Sequence, residues 1–241
     1  MKLRRTILAG LALAFALPAH AQADAEAPTD PYLALVEAMT EPQALAKASA
    51  NASSELEEAF RSQPDTAKLE EACPGMIDAL MAGTADTLKE HGSLETRLRS
   101  EAIVTFLRAN LSREHAAEAA AFYASPDGQR LVMAAMSNTT VKTTLETAMN
   151  TLDDEIRYED AMADNQTTVM NAVKDLSAEE LARISGKLVG QEWFTALGKL
   201  RSRMHEAAFA VVNSDFAPEL DEKLERAIDE VLSRHLEACG Y

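Results

Sequence analysis

An all-α fold, a compact bundle of about seven or eight helices, is what the sequence predicts. Three observations lead there. Ala, Leu, Glu and Met, the strong helix formers, dominate the chain, and glycine falls to 9 of 241 residues. Val, Ile and Thr nowhere alternate with polar residues for long, so strand patterning is missing. Apolar residues instead recur every third or fourth position, and each such stripe needs another to bury it.

The elements follow in order. Residues 1–21, MKLRRTILAGLALAFALPAHA, place Lys2, Arg4 and Arg5 before an apolar run too short to span a bilayer, then small-x-small sites. This is the pattern of a secretory signal peptide cut after Ala21 or Ala23. Residues 22–31, polar and proline-punctuated, read as an exposed, disordered leader, and residues 32–241 as one helical domain. No later stretch approaches the roughly 20 apolar residues of a membrane helix, so the mature chain is expected to carry no transmembrane segment. No cysteine stands at the cleavage site to accept a lipid. Cleavage removes three of the 23 basic residues and none of the 39 acidic ones, taking the formal charge from -16 to -19. A chain this acidic repels nucleic acid and anionic lipid.

Two cysteines remain. Cys73 in EEACPGM and Cys239 in EACGY invite pairing in an oxidising compartment, which would tie an early helix to the C-terminal tail; two separate buried thiols are the other reading. Zinc, thioredoxin and haem-attachment cysteine spacings do not occur. Leu94, Leu98, Phe106 and Leu107 mark one face of a helix ending near Asn110, with Glu95, Arg97 and Arg99 on its other sides. Leu145, Met149, Leu152, Ile156 and Ala163 continue the helical spacing, and Leu220, Leu224, Ala227, Ile228, Val231 and Leu232 define the last helix, begun by Pro218. Ser177 with Glu180 makes a capping box, and Ser112 occupies a similar place.

The stretch FYASPDGQR reads as a corner between two helices. Pro126 cannot easily continue a helix but is favoured at the start of one, with Ser125 as its N-cap and Asp127 in the first turn, where the helix dipole favours negative charge. Phe122 and Tyr123 are placed to anchor the corner, and Gly128 to allow close approach. Together with Ser112 and Glu114, the run Phe122, Tyr123, Ser125, Pro126, Gly128, Gln129, Arg130 resembles the Phe-Tyr-x-Ser-Pro-x-Gly signature of bacterial domain-of-unknown-function family 2059. The likeness covers roughly residues 85–145. His115-Ala116 departs from the Glu-Leu usual in that family. The resemblance implies a small all-helical domain behind a signal peptide, hence a periplasmic one. A degenerate second copy, over about residues 150–210, is suggested by LSAEELARISGKLVGQEWF laid over LSREHAAEAAAFYASPDGQ. The two readings are stacked helical-hairpin pseudo-repeats and convergent helix-start chemistry.

Site chemistry is sparse. His205-Glu206 opens a zinc-protease pattern, but Phe209 stands where the second histidine belongs. His91, His115 and His235 lack ligand spacing, and His235 reads as a hydrogen-bonded boundary histidine. The acidic run Asp153, Asp154, Glu155, Glu159, Asp160, Asp164 reads as a solvated helix face rather than a calcium site. Nucleophile and phosphate-loop motifs do not occur, and no cofactor or metal is expected. Trp193, Phe194 and Leu197 form an aromatic-rich face: core, or, if one ring stays exposed, an interaction groove for a partner helix or lipid tail. The expectation is therefore a periplasmic, non-enzymatic protein that binds another protein. A helical carrier of an apolar small molecule or lipid is the alternative, and a hydrolase is less favoured.

Overall fold

A computed structural model describes residues 30–151 and 156–240. The signal peptide, the leader as far as residue 29, Leu152 and the acidic residues Asp153, Asp154 and Glu155 lie outside the described residues. Everything regular among the described residues is helix. The elements are α1 (Pro31–Met39), α2 (Pro42–Ser62), α3 (Pro64–Ala72), α4 (Met76–Asn110), α5 (Arg113–Tyr123), α6 (Pro126–Ser137), α7 (Lys142–Thr151), α8 (Tyr158–Asp175), α9 (Ala178–Leu188), α10 (Glu192–Val212) and α11 (Pro218–Cys239).

The fold is the expected all-α bundle, with more and shorter helices than foreseen, and proline is the reason. Pro31, Pro42, Pro64, Pro126 and Pro218 each stand in the first turn of a helix, where the missing N–H costs nothing, so each proline starts a new element. The leader is correspondingly shorter than residues 22–31. Asp30 is already an N-cap, accepting from Tyr32 N at 3.2 Å, and Pro31 is buried.

Helix α4, 35 residues long, threads two hydrophobic cores. Its first half contributes Met76, Ile77, Leu80 and Leu88 to a core with Leu56 and Phe60 of α2, Leu145 of α7 and Leu224 and Ile228 of α11. Its last turns contribute Val104 and Leu107 to a second core with Leu35 and Val36 of α1, Ala116 and Ala119 of α5, Ile184 of α9 and Trp193 of α10. Gly83 lets α11 approach closely, because a Cβ there would fall on a methyl of Val231. Helix α4 starts where Glu70 turns back on it, its carboxylate accepting from Gly75 N (2.7 Å) and Ile77 N (3.0 Å).

Three assignments change. Glu95 is not on an outer side of α4: it is 3 % exposed, inside the bundle. The spacing from Leu145 to Ala163 does not belong to one helix, since Ile156 lies between α7 and α8. Its N–H donates to Asn213 Oδ1 (3.2 Å) and its C=O accepts from Asn213 Nδ2 (2.9 Å), so one side chain satisfies both of its backbone groups. The acidic run is a solvated face only at Glu159 where it is described, because Asp160 and Asp164 are buried. Asp164 caps α7 from a distance, accepting from Thr143 N (2.9 Å), Thr144 N (2.9 Å) and Thr144 Oγ1 (2.8 Å). Asp160 pairs with Arg157 at 2.8 Å.

Cys73 and Cys239 are joined in a disulfide that ties the end of α3 to the last turn of α11 across 166 residues. In the chain-entropy model, a loop that long stabilises by up to about 5 kcal/mol. Cys239→Ser is expected to lower the unfolding free energy by a corresponding amount, with a lower denaturant midpoint and a steeper slope because the unfolded chain is free to expand, measured against the oxidised wild type. An unchanged midpoint would show that the bridge constrains nothing.

Candidate functional site

The residues of the FYASPDGQR corner converge on one clasp. Ser125 Oγ donates to Phe122 O (2.6 Å) and accepts from Gly128 N (3.3 Å), closing α5 and opening α6 with one hydroxyl. Gly128 is there for space: a Cβ would lie 2.5 Å from Tyr123 Cα and press on Phe122 O. Gln129 Nε2 donates to Tyr123 O (2.6 Å) and Ala38 O (3.0 Å), taking up carbonyls near the ends of α5 and α1. Arg130 reaches the other way, with Nε on Glu180 Oε1 (2.8 Å) and its terminal nitrogens on Asp175 Oδ2 (3.0 Å) and Asp175 O (2.8 Å).

That pairing explains an electrostatic feature of α9. The Ser177 capping box is complete, and Glu180 Oε2 accepts from Ser177 N at 2.8 Å. This backbone bond, then Arg130, then the Ser177 hydroxyl hold the Glu180 carboxyl down to about 2. Asp127 completes the clasp: its buried carboxylate meets Lys187 Nζ (2.6 Å) and Arg183 Nε (2.8 Å), which keep it below the usual carboxylate range.

The clasp and the aromatic face turn out to be one place. Trp193 is buried, with its ring 5.5 Å from that of Phe122 and 6.3 Å from that of Tyr123. Burial pushes the Tyr123 phenol up. Leu197 is half-buried against the same core, while Phe194, 43 % exposed, stacks edge-on to Trp193 at 5.8 Å and turns outward. Facing α10 across an open groove of about 770 Å³ is α8. Tyr158 closes one end, with its ring 5.3 Å from Phe209 and its hydroxyl 3.4 Å from Ser202 O, and Asn165 approaches His205 at 3.2 Å. Beyond them α8 continues with Val169, Met170 and Val173, which are 39, 50 and 46 % exposed.

Sequence reasoning missed a polar belt in the middle of α4. His91 Nε2 lies 3.2 Å from Asp221 Oδ1, and its ring sits 4.9 Å from that of Phe216. One turn on, Glu95 Oε1 accepts from Arg99 at 3.2 Å, while Oε2 is the one fully buried side-chain oxygen without a partner among the described residues. Burial raises the Glu95 carboxyl, outweighing Arg99 and His91. His205 is pushed down by burial, with the charges of Arg201 and Arg99 adding to it. A hint was available in the sequence, since Glu95 falls on the His91 side of the helix at i, i+4 spacing. Its burial depends on where α10 and α11 dock, which no local pattern records.

Chemically, the clasp is saturated: its charges are paired and its polar groups are bonded to backbone. What it presents outward is an apolar ledge, Phe194 above a filled aromatic cluster.

Gly128→Ala is expected to cost at least about 1–3 kcal/mol, because the new methyl strikes backbone. Gly186→Ala meets nothing within 4 Å in the last turn of α9 and should stabilise by up to about 0.5–1 kcal/mol. Denaturant unfolding of the two variants reads the contrast. Glu95 and the clasp should titrate in opposite senses. Depressed carboxyls such as Glu180 and Asp127 stabilise fully above the ordinary range and lose that contribution as pH falls through their folded values. The raised Glu95 binds its proton better when folded, so its contribution is full below roughly pH 4.3 and lost as pH rises through its folded value. Glu95→Gln should therefore be more stable than wild type at neutral pH, with the difference shrinking toward about pH 4; a difference independent of pH would refute the assignment. Comparison of the chain with protein-family models, with curated proteins and with solved structures returns no match.

Proposed function

We propose that the chain is exported to the periplasm and acts there, without catalysing a reaction, by binding another protein along the α8–α10 face. The observation that carries this reading is the set of outward apolar side chains, Val169, Met170 and Val173 on α8 and Phe194 on α10, which lie one to two turns along the same helices from the groove-lining Gln166 and Gly198. Surface side chains this size, in register along a helix, fit an amphipathic partner helix laid into the gap. The signal-peptide pattern and the likeness of the corner to domain-of-unknown-function family 2059 support the compartment. No described helix is long and apolar enough to cross a membrane. The -19 charge of the processed chain favours a partner with a basic rim.

A carrier function has one observation in its favour, a second groove of about 710 Å³ between α1 and α4, lined by Leu33, Val36, Leu94 and Val104. Arg97 and Arg108 at its edge are already paired with Glu101 and Asp30, which leaves little to recognise an anionic headgroup. A hydrolase has less support, since His91 is buried against Phe216 and only its partner Asp221 reaches solvent.

A photo-crosslinking residue placed at Met170 or Phe194 in cells is expected to capture a protein, and the same residue at Gly186 on α9 is not. Loss of the adduct on Val173→Ser would locate the contact. No protein adduct from either position, together with a small molecule co-purifying in native mass spectrometry, would favour the carrier instead.

A further inference from the structure

We propose that the Cys73–Cys239 disulfide is the closed form of a metal site. On reduction, Cys73, Cys239 and His235 bind one thiophilic divalent cation, with zinc as the fitting case. One ligand-type atom from each residue lies within 4.8 Å of the other two. His235 and Cys239 stand four residues apart on α11, one turn apart on one face, and the 5.7 Å between the Cys73 and Cys239 α-carbons suits a shared metal as well as a bridge. Two thiolates and an imidazole form a recognised zinc ligand set that leaves a fourth position for water.

Two features prepare the corner independently of the sulfur–sulfur bond. The turn carrying Cys73 is fastened by Glu70 to Gly75 N and Ile77 N, and Cys73 N donates to Leu69 O at 2.8 Å. His235 Nε2 lies 3.2 Å from Pro74 O. A carbonyl can only accept, so that nitrogen carries the proton and Nδ1 keeps its lone pair, the arrangement in which a backbone acceptor orients a metal-binding histidine.

The chemistry balances with a dithiol as reductant. The dithiol gives two electrons and two protons to the sulfur–sulfur bond, becoming a disulfide itself and leaving Cys73 and Cys239 as thiols. The cation then displaces both thiol protons to solvent and takes the neutral His235 imidazole as its third ligand. Disulfide and metal exclude each other, so the oxidised chain has no site.

The test uses the mature chain reduced by a phosphine without oxygen and titrated with Co2+, then with Zn2+. The expected result is one equivalent of Co2+ bound with thiolate-to-cobalt charge-transfer absorption, bleached by Zn2+ and lacking in the oxidised protein. His235→Ala should weaken binding by more than about tenfold, the low end of what even an outer partner of a ligand contributes. Cys239→Ser should abolish the charge-transfer band seen for the pair. Circular dichroism accompanies each titration. A reduced chain that keeps its helices but shows no such band overturns the proposal. So does one that unfolds without binding, and so does undiminished affinity in His235→Ala.

Discussion

Helix α4 is the constraint on which the bundle depends. One uninterrupted helix of 35 residues spans about 50 Å, longer than a single small core can cover. It therefore serves two cores in succession, α2, α7 and α11 around its first half and α1, α5, α9 and α10 around its last turns. Where one core gives way to the other, its inward face becomes polar, with Thr84, Thr87, His91 and Glu95 all buried. A buried carboxylate whose second oxygen lacks a partner is costly to fold.

The corner at Ser125 solves a different problem. Two helices can meet at a sharp angle only if the end of one and the start of the next have their free backbone groups satisfied. Here Ser125 and Gln129 do that work, and Gly128 supplies the room. Arg130 and Asp127 then carry the constraint outward, fixing α9 through Glu180, Arg183 and Lys187. The motif read in sequence as a corner between two helices is thus an architectural joint, and the aromatic pair beside it is packed into the core. Phe194 differs from its neighbours in facing out of a cluster that is already complete without it.

The legible parts of the fold were those governed by near neighbours in the chain. Helix-start chemistry at Ser112, Ser125 and Ser177, the end of α4 at Asn110 and the start of α11 at Pro218 all depend on residues within a turn of each other. The remaining prolines carried the same information, and the helix count came out low because they were not read as helix starts. The illegible parts depend on docking. Asp164 looks like one more surface carboxylate until α7 places Thr143 and Thr144 against it, 20 residues and more upstream. Arg130 finds Glu180 50 residues away. In both cases charge, usually a mark of the surface, became an internal fastener. For Trp193 and Phe194 the sequence allowed either core or groove, and adjacent positions on a helix took one role each.

Why the α8–α10 face stays open follows from what each helix is bound to. Helix α8 packs on α6 and α7, and α10 packs on α4 and α5, so neither needs the other to bury its main stripe. They touch through Tyr158 with Phe209 and Asn165 with His205, contacts that hold their spacing at one end without zipping them together. Past Asn165, helical spacing carries Val169, Met170 and Val173 along the side of α8 that Gln166 turns to the groove, and Gly198 of α10 lines the other wall. Val169, Met170 and Val173 therefore stay in water on α8, while α10 presents no side chain at Gly198 on the wall of the groove. The two cores are complete without these side chains, so their exposure adds nothing to the stability of the bundle.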